Sequence, residues 1–158
     1  MTTVAATTVA WLHLASVPAG QEGVVFSLLG PLGFRALGWT GDNDGLPGTY
    51  GRDAPLEDVE AAADALAGLG VTFAVQQMPD WTAEGGWRDG WRIVHVPGFG
   101  TASGAADSAG RFVVDAEQVR LAVRAAGGDF ATLAARMDDL LGITVVEAFE
   151  ALWRSVER

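Results

Sequence analysis

Few residues in this chain are equipped for covalent chemistry. It has no cysteine, which removes disulfides, thiolate nucleophiles and cysteine-based zinc sites. All 10 basic residues are arginine, so a P-loop lysine, a Schiff-base lysine and a Ser-Lys dyad are excluded too. His13 and His95 lack the short shared spacing of a metal pair. Ala106-Asp107-Ser108-Ala109-Gly110 has the outline of a nucleophile elbow, a motif that needs a strand before it and a helix after it. Here the strand-like run Phe112 to Val114 follows, and neither histidine is placed to serve Ser108. Gly98-Phe99-Gly100 follows a strand as a dinucleotide loop would, but no helix opens after it and the next glycine, Gly104, is off the required position. It reads as a turn. Asp42, Asn43 and Asp44 begin like a calcium loop and lack its distal glutamate. No catalytic residue, no metal ligand set and no cofactor motif is assigned.

Binding chemistry is better represented. The stretch Pro79 to Gly100, PDWTAEGGWRDGWRIVHVPGFG, holds Trp81, Trp87 and Trp91, interleaved with Gly85, Gly86, Gly90, Gly98 and Gly100. Trp81 and Trp87 flank a glycine-rich turn, with Arg88 and Arg92 beside them. Tryptophan with arginine is the composition of protein-contact hot spots. The same residues also suit a hairpin that plugs a core, and the sequence leaves both readings open. A second group, His13, Tyr50 and His95, would supply the polar atoms of a small-molecule pocket between a sheet and the C-terminal helices. For His13 the plainer alternative is a hydrogen-bonded core or edge histidine.

These residues need elements to position them. Thr8 to Ala15 alternates with period two, Val9, Trp11 and His13 against Ala10, Leu12 and Leu14, as in a central strand. Gln21 to Leu29 reads as a short helix with Val24, Val25, Leu28 and Leu29 inward, stopped at Gly30-Pro31. Phe34 to Thr40 and Thr49 to Arg52 are the next strands, joined by the loop GDNDGLPGTY. Asp53 is expected to cap a helix that buries Leu56, Val59, Ala63, Leu66 and Ala67 and ends at Gly70. Val71 to Met78 follows as a strand, which gives the split βαβ, ferredoxin-like order. Trp91 to Val96 pairs back on it as a hairpin across Glu84-Gly85-Gly86. Thr101 to Gly110 is a loop or weak edge strand, and Phe112 to Val114 a short buried strand.

Three helices close the chain. Asp115 with Gln118 makes a capping box, Gly127-Gly128 breaks that helix, and Asp129 caps a second one that Gly142 ends. Thr144 with Glu147 is expected to open the last helix, through Val146, Phe149, Leu152 and Trp153. The fold class is α+β: a ferredoxin-like split βαβ sheet extended by the tryptophan-rich hairpin, with a C-terminal three-helix module. Residues 1–158 form one domain, 1–114 holding the sheet and 115–158 the helices.

Charge restricts the partners. The formal net charge is -10, and the acids outnumber the arginines in both halves of the chain, so a phosphate backbone is repelled and nucleic acid is not expected. No apolar run reaches the ~18 residues of a membrane span, and the N-terminus has no basic n-region, so a cytoplasmic protein is expected. The helix pair around Leu141-Gly142-Ile143-Thr144 has the outline of a helix-turn-helix. Its second helix would bring Glu147 and Glu150 to phosphates, so a packed αα-hairpin is the better reading.

Several short motifs occur in order: Trp11-Leu12-His13-Leu14-Ala15-Ser16-Val17-Pro18, Trp39-Thr40, Pro47-Gly48-Thr49-Tyr50, the stretch from Pro97 and Gly100 through Gly110, Phe112-Val113-Val114 with Arg120, and Trp153-Arg154. Together they resemble the actinobacterial family of domain of unknown function 3145. The resemblance implies this element order and an actinobacterial origin, with which an all-arginine, alanine- and glycine-rich composition agrees. It carries no activity with it. The leading expectation is a non-catalytic interaction or accessory protein that binds a protein partner, or itself, through Trp81, Trp87, Arg88 and Arg92. The alternative is a small-molecule-binding protein or enzyme using His13, Tyr50 and His95; a helix-turn-helix regulator ranks third.

Overall fold

The computed structural model describes residues 8–32, 34–36, 49–54, 56–81 and 87–156. Period-two alternation sets the centre of the sheet. In β1 (Thr8–Ser16) Ala10, Leu12 and Leu14 are buried on one face, while Trp11 and His13 are half-buried on the other. A strand apolar on both faces needs a layer of structure on each. Both layers are present.

Around β1 lie β2 (Arg35–Ala36), β3 (Thr49–Ala54), β4 (Thr72–Gln77), β7 (Gly90–Val96) and β8 (Gly100–Ala106), in the order β2-β3-β1-β4-β7-β8. Every pairing is antiparallel. The first four strands of that order, connected through α1 (Glu22–Leu29) and α2 (Leu56–Gly68), fit the split βαβ arrangement, and β7 and β8 extend it. Between β4 and β7 a separate two-stranded ribbon is formed by β5 (Asp80–Trp81) and β6 (Trp87–Arg88). The chain closes with α3 (Ala116–Ala126), α4 (Phe130–Leu141) and α5 (Ile143–Val156). The fold is α+β.

Register carries the alternation across the sheet. His13 stands opposite Ala74, Ala74 opposite Val94, and Val94 opposite Ala102, one row on one face. Leu14, Phe73, His95 and Thr101 make the next row, on the other face. Leu12, Leu14, Phe73, Val75 and Ile93 pack under α1 and α2, whose Val25, Leu29, Val59 and Leu66 complete the first core. Ala15, Ala74, Val94, Val96 and Ala102 form the second core with Val145 and Phe149 of α5. Phe149 is 2% exposed, and burying such a side chain contributes roughly 1.5–3 kcal/mol. Thus α5 is a structural layer of the sheet.

Local chemistry explains most boundaries. Asp115 and Gln118 form the reciprocal capping box, Asp129 caps α4, and Gly127 and Gly142 end their helices in the left-handed region. Gly142 is irreplaceable in a second way: a Cβ there would overlap Ala102 and lie 3.5 Å from Phe112. The connection between α4 and α5 is jammed against β8.

Several expected details are corrected. Asp53 does not cap α2; it lies within β3, paired with Val9, because the ladder with β1 runs on to Thr8 opposite Ala54. Thr144 does not open α5, which begins at Ile143. With one residue between the helices, the Asp138 carboxylate reaches across, accepting from the Thr144 amide at 2.8 Å and its hydroxyl at 2.7 Å. That single-residue connection is also shorter than the three or four residues of a helix-turn-helix. Of the two readings of Thr101 to Gly110, the edge strand holds as far as Ala106, in β8, and the loop beyond it; Phe112, expected in a short buried strand, makes an isolated bridge to Ala106, leaving Val113 46% exposed. In α1 only Val25 and Leu29 are buried, one turn apart, and Val24 faces out; in α5 Leu152 does likewise. Leu37 to Thr40, the Asp42-Asn43-Asp44 loop, Pro55 and the Glu84-Gly85-Gly86 turn lie outside the described residues.

Candidate functional site

Two places gather polar or aromatic residues around a constrained backbone. The first is the β5–β6 ribbon. Its register sets Trp81 opposite Trp87 and Asp80 opposite Arg88; the side chains of these four residues lie outside the description. The β4–β7 hairpin is interrupted just before the ribbon, at Gly90. A Cβ on Gly90 would meet the Gln77 carbonyl oxygen at 2.5 Å, the Ala106 carbonyl oxygen at 2.9 Å and Pro79 Cδ at 2.9 Å. Only glycine lets three strands crowd at the ribbon's base.

The second place is where β7 and the loop after β8 meet α5. Gln76 and Arg92 stand opposite each other in the β4–β7 ladder, both on the face that α5 covers. Gln76 Nε2 donates to the Asp107 carbonyl oxygen at 3.1 Å, and Arg92 Nη1 donates to the Gly110 carbonyl oxygen at 2.9 Å. The loop they grip is braced internally. Asp107 Oδ1 accepts from the Ala109 and Arg111 amides, each at 3.0 Å, and its Oδ2 accepts from Arg111 Nε at 2.9 Å. Those bonds favour the ionised carboxylate and hold the Asp107 pKa below its ordinary value, the Arg111 amide contributing most.

Arg92 also lies 3.6 Å from Glu150 Oε1 on α5, with its own side chain 12% exposed. Burial pulls its pKa down and the Glu150 carboxylate opposes that pull; arginine stays protonated regardless. Above this ion pair is a cleft of about 320 Å³, walled by Phe112, Val146 and Glu147 among others. Its chemistry is that of a charged clamp over an apolar floor. Ser108, the serine of the elbow-like sequence, sits exposed in the turn, and the Phe112 bridge, not a helix, comes next. Among the described residues no group of three or more histidines and acids could hold a metal ion.

The residues singled out by sequence are dispersed. His13 lies on the α5 face, edge-on to Trp153 at 5.0 Å. His95 lies on the opposite face, stacked on Phe73 at 5.8 Å, its Nδ1 2.7 Å from Thr101 Oγ1. Burial lowers its pKa. The sheet stands between the two imidazoles, so one pocket holding both is not formed. Tyr50 is opposite Leu12 in the β1–β3 ladder, its side chain outside the description. Arg92 is engaged within the fold: alternation along β7 turns it toward Gly110 and Glu150. The clamp of Gln76, Arg92, Asp107 and Glu150 was missed. One signal was available, because Gln76 and Arg92 interrupt an otherwise apolar strand face at paired positions.

The family described as Protein of unknown function (DUF3145) matches residues 56–157, from α2 through α5. The chain belongs to this family. The matched span contains the ribbon, the Arg92 clamp and all three C-terminal helices, and leaves β1 to β3 outside it. No curated protein and no solved structure matched the chain. No helix among the described residues is long and apolar enough to cross a membrane.

Proposed function

We propose that this member of the DUF3145 family is a non-catalytic accessory protein of the cytoplasm that captures a protein partner through the β5–β6 ribbon. One observation carries the reading: Trp81 and Trp87 occupy opposite register positions in a ribbon that, among the described residues, pairs with none of the six strands of the main sheet. A two-stranded ribbon gains little stability alone, and tryptophan with neighbouring Arg88 is the residue choice of a binding hot spot. The crowding at Gly90 supports the reading by fixing where the ribbon leaves the sheet. The test is affinity capture from the native host with wild type and with Trp81→Ala/Trp87→Ala, each checked by circular dichroism and thermal melting. Selective loss of a captured protein from a variant that melts like wild type is expected. A variant that unfolds would make the pair a core plug and end the proposal.

The cleft above Arg92 and Glu150 favours a second reading, a small anionic ligand bound where sheet meets α5. A rise in melting temperature with a carboxylate metabolite, lost in Arg92→Met, would move the assignment there.

A further inference from the structure

The α3–α4 hairpin presents a face that the single chain covers only in part. In α4 the residues Phe130, Leu133, Met137 and Leu140 recur at the three-four-three spacing of a helix-packing seam. Leu133, Met137 and Leu140 are only half-buried, none of the 12 residues of α4 is fully buried, and Phe130 is 82% exposed. Between α3 and α4 runs a groove of about 440 Å³. It is lined by Ala122, Ala125 and Leu140 and by Leu121, itself 54% exposed, with Arg136 and Asp139 among its polar residues. Small residues make the hole, and the neighbouring leucine is a knob of the size that fills one.

We propose that this face is an isologous interface between two copies of the chain. Charge selects that occupant. Arg136 and Asp139 lie three residues apart on one helix, and neither makes a hydrogen bond or ion pair among the described residues. A two-fold axis lying against the exposed side of α4, level with the midpoint between them, sets Arg136 of each copy against Asp139 of the other. The same axis offers the Leu121 of each copy to the groove of its mate. Self-complementarity of this kind, with opposite charges and knob-and-hole on one patch, is what a two-fold interface requires. An unrelated partner would have to carry the mirror of that pattern; a second copy carries it by symmetry.

The test is sedimentation velocity on the full chain over a concentration series, for wild type, Arg136→Asp, Asp139→Arg and the double variant. Wild type is expected to dimerise. Each single reversal sets like charges together twice and raises the dimer dissociation constant by about tenfold. The double variant regenerates both pairs with their signs exchanged and recovers the wild-type constant to within about threefold. Both side chains edge an open groove, so folding is checked by overlaid circular dichroism and melting curves. A chain that stays monomeric, including one whose groove takes up a different protein, overturns the proposal. So does a dimer indifferent to the single reversals, or one that the double reversal fails to restore.

Discussion

Arg92 and His95 are three residues apart on one strand, yet they meet opposite surroundings. Arg92 is turned toward α5 and spends its guanidinium on Gly110 and Glu150. His95 is turned toward Phe73 and the Thr101 hydroxyl, and partial burial lowers its pKa. The sign of that shift fixes a pH dependence. The folded state binds this proton less readily than the unfolded chain, in which imidazole titrates near ~6.5. His95 therefore contributes fully above that value, and its contribution is lost as pH falls through ~6.5 toward the lower folded-state pKa. Because the ring is only partly buried, the effect is modest. Urea midpoints should fall between about pH 7.5 and about pH 5.5, and the fall should be shallower in His95→Gln. Identical slopes in both proteins would refute the assignment. Alternation in the sequence already put these two side chains on opposite faces. It gave no hint of what Arg92 would meet, because Gly110 and Glu150 are distant in sequence and the loop bringing Gly110 near is shaped by Asp107.

Helix caps were the most legible features at the level of elements. Asp115 with Gln118, Asp129 and Gly142 act locally, so short-range chemistry suffices to find them. The start of α5 was misplaced because its cap, Asp138, belongs to the preceding helix. Asp138→Ala removes the acceptor for both the Thr144 amide and hydroxyl and should destabilise the protein by about 1–2 kcal/mol. Hydrogen exchange should quicken at the first turn of α5 more than elsewhere; unchanged protection at Thr144 would show that the cap is dispensable. β8 was unclear for a different reason. Its sequence, GTASGAA, is poor in strand formers. Ala102 packs directly against Gly142, and Gly104 lies within ordinary contact of Phe112, so tertiary neighbours outweigh intrinsic preference. The β4–β7 pairing was plain because both strands send alternate residues into the same two cores.

For the whole molecule, the separation into a sheet part and a helical part understates how the C-terminus is used. α5 crosses the face formed by β1, β4, β7 and β8, and it supplies Val145 and Phe149 to a core distinct from the one under α1 and α2. Ending the chain after Leu141 would expose Ala15, Ala74, Val94 and Ala102 together. The shortened protein should bind a hydrophobic dye and unfold over a broad denaturant range, as loosely packed states do. A sharp transition at the wild-type midpoint would show that the second core is not needed. The acidic surface is a separate matter: at -10 it favours solubility and says little about which fold is reached.

The order of the strands has a consequence for biosynthesis. β1 emerges from the ribosome before the rest of the sheet, and its two faces are covered at different times. One is roofed by α1 and α2, encoded close behind it. The other waits for α5, more than a hundred residues later. Throughout that interval the nascent sheet bears an uncovered apolar surface, a target for chaperones and for neighbouring chains on the same message. The small size of Ala15, Ala74 and Ala102 keeps that exposed area low until the last helix arrives.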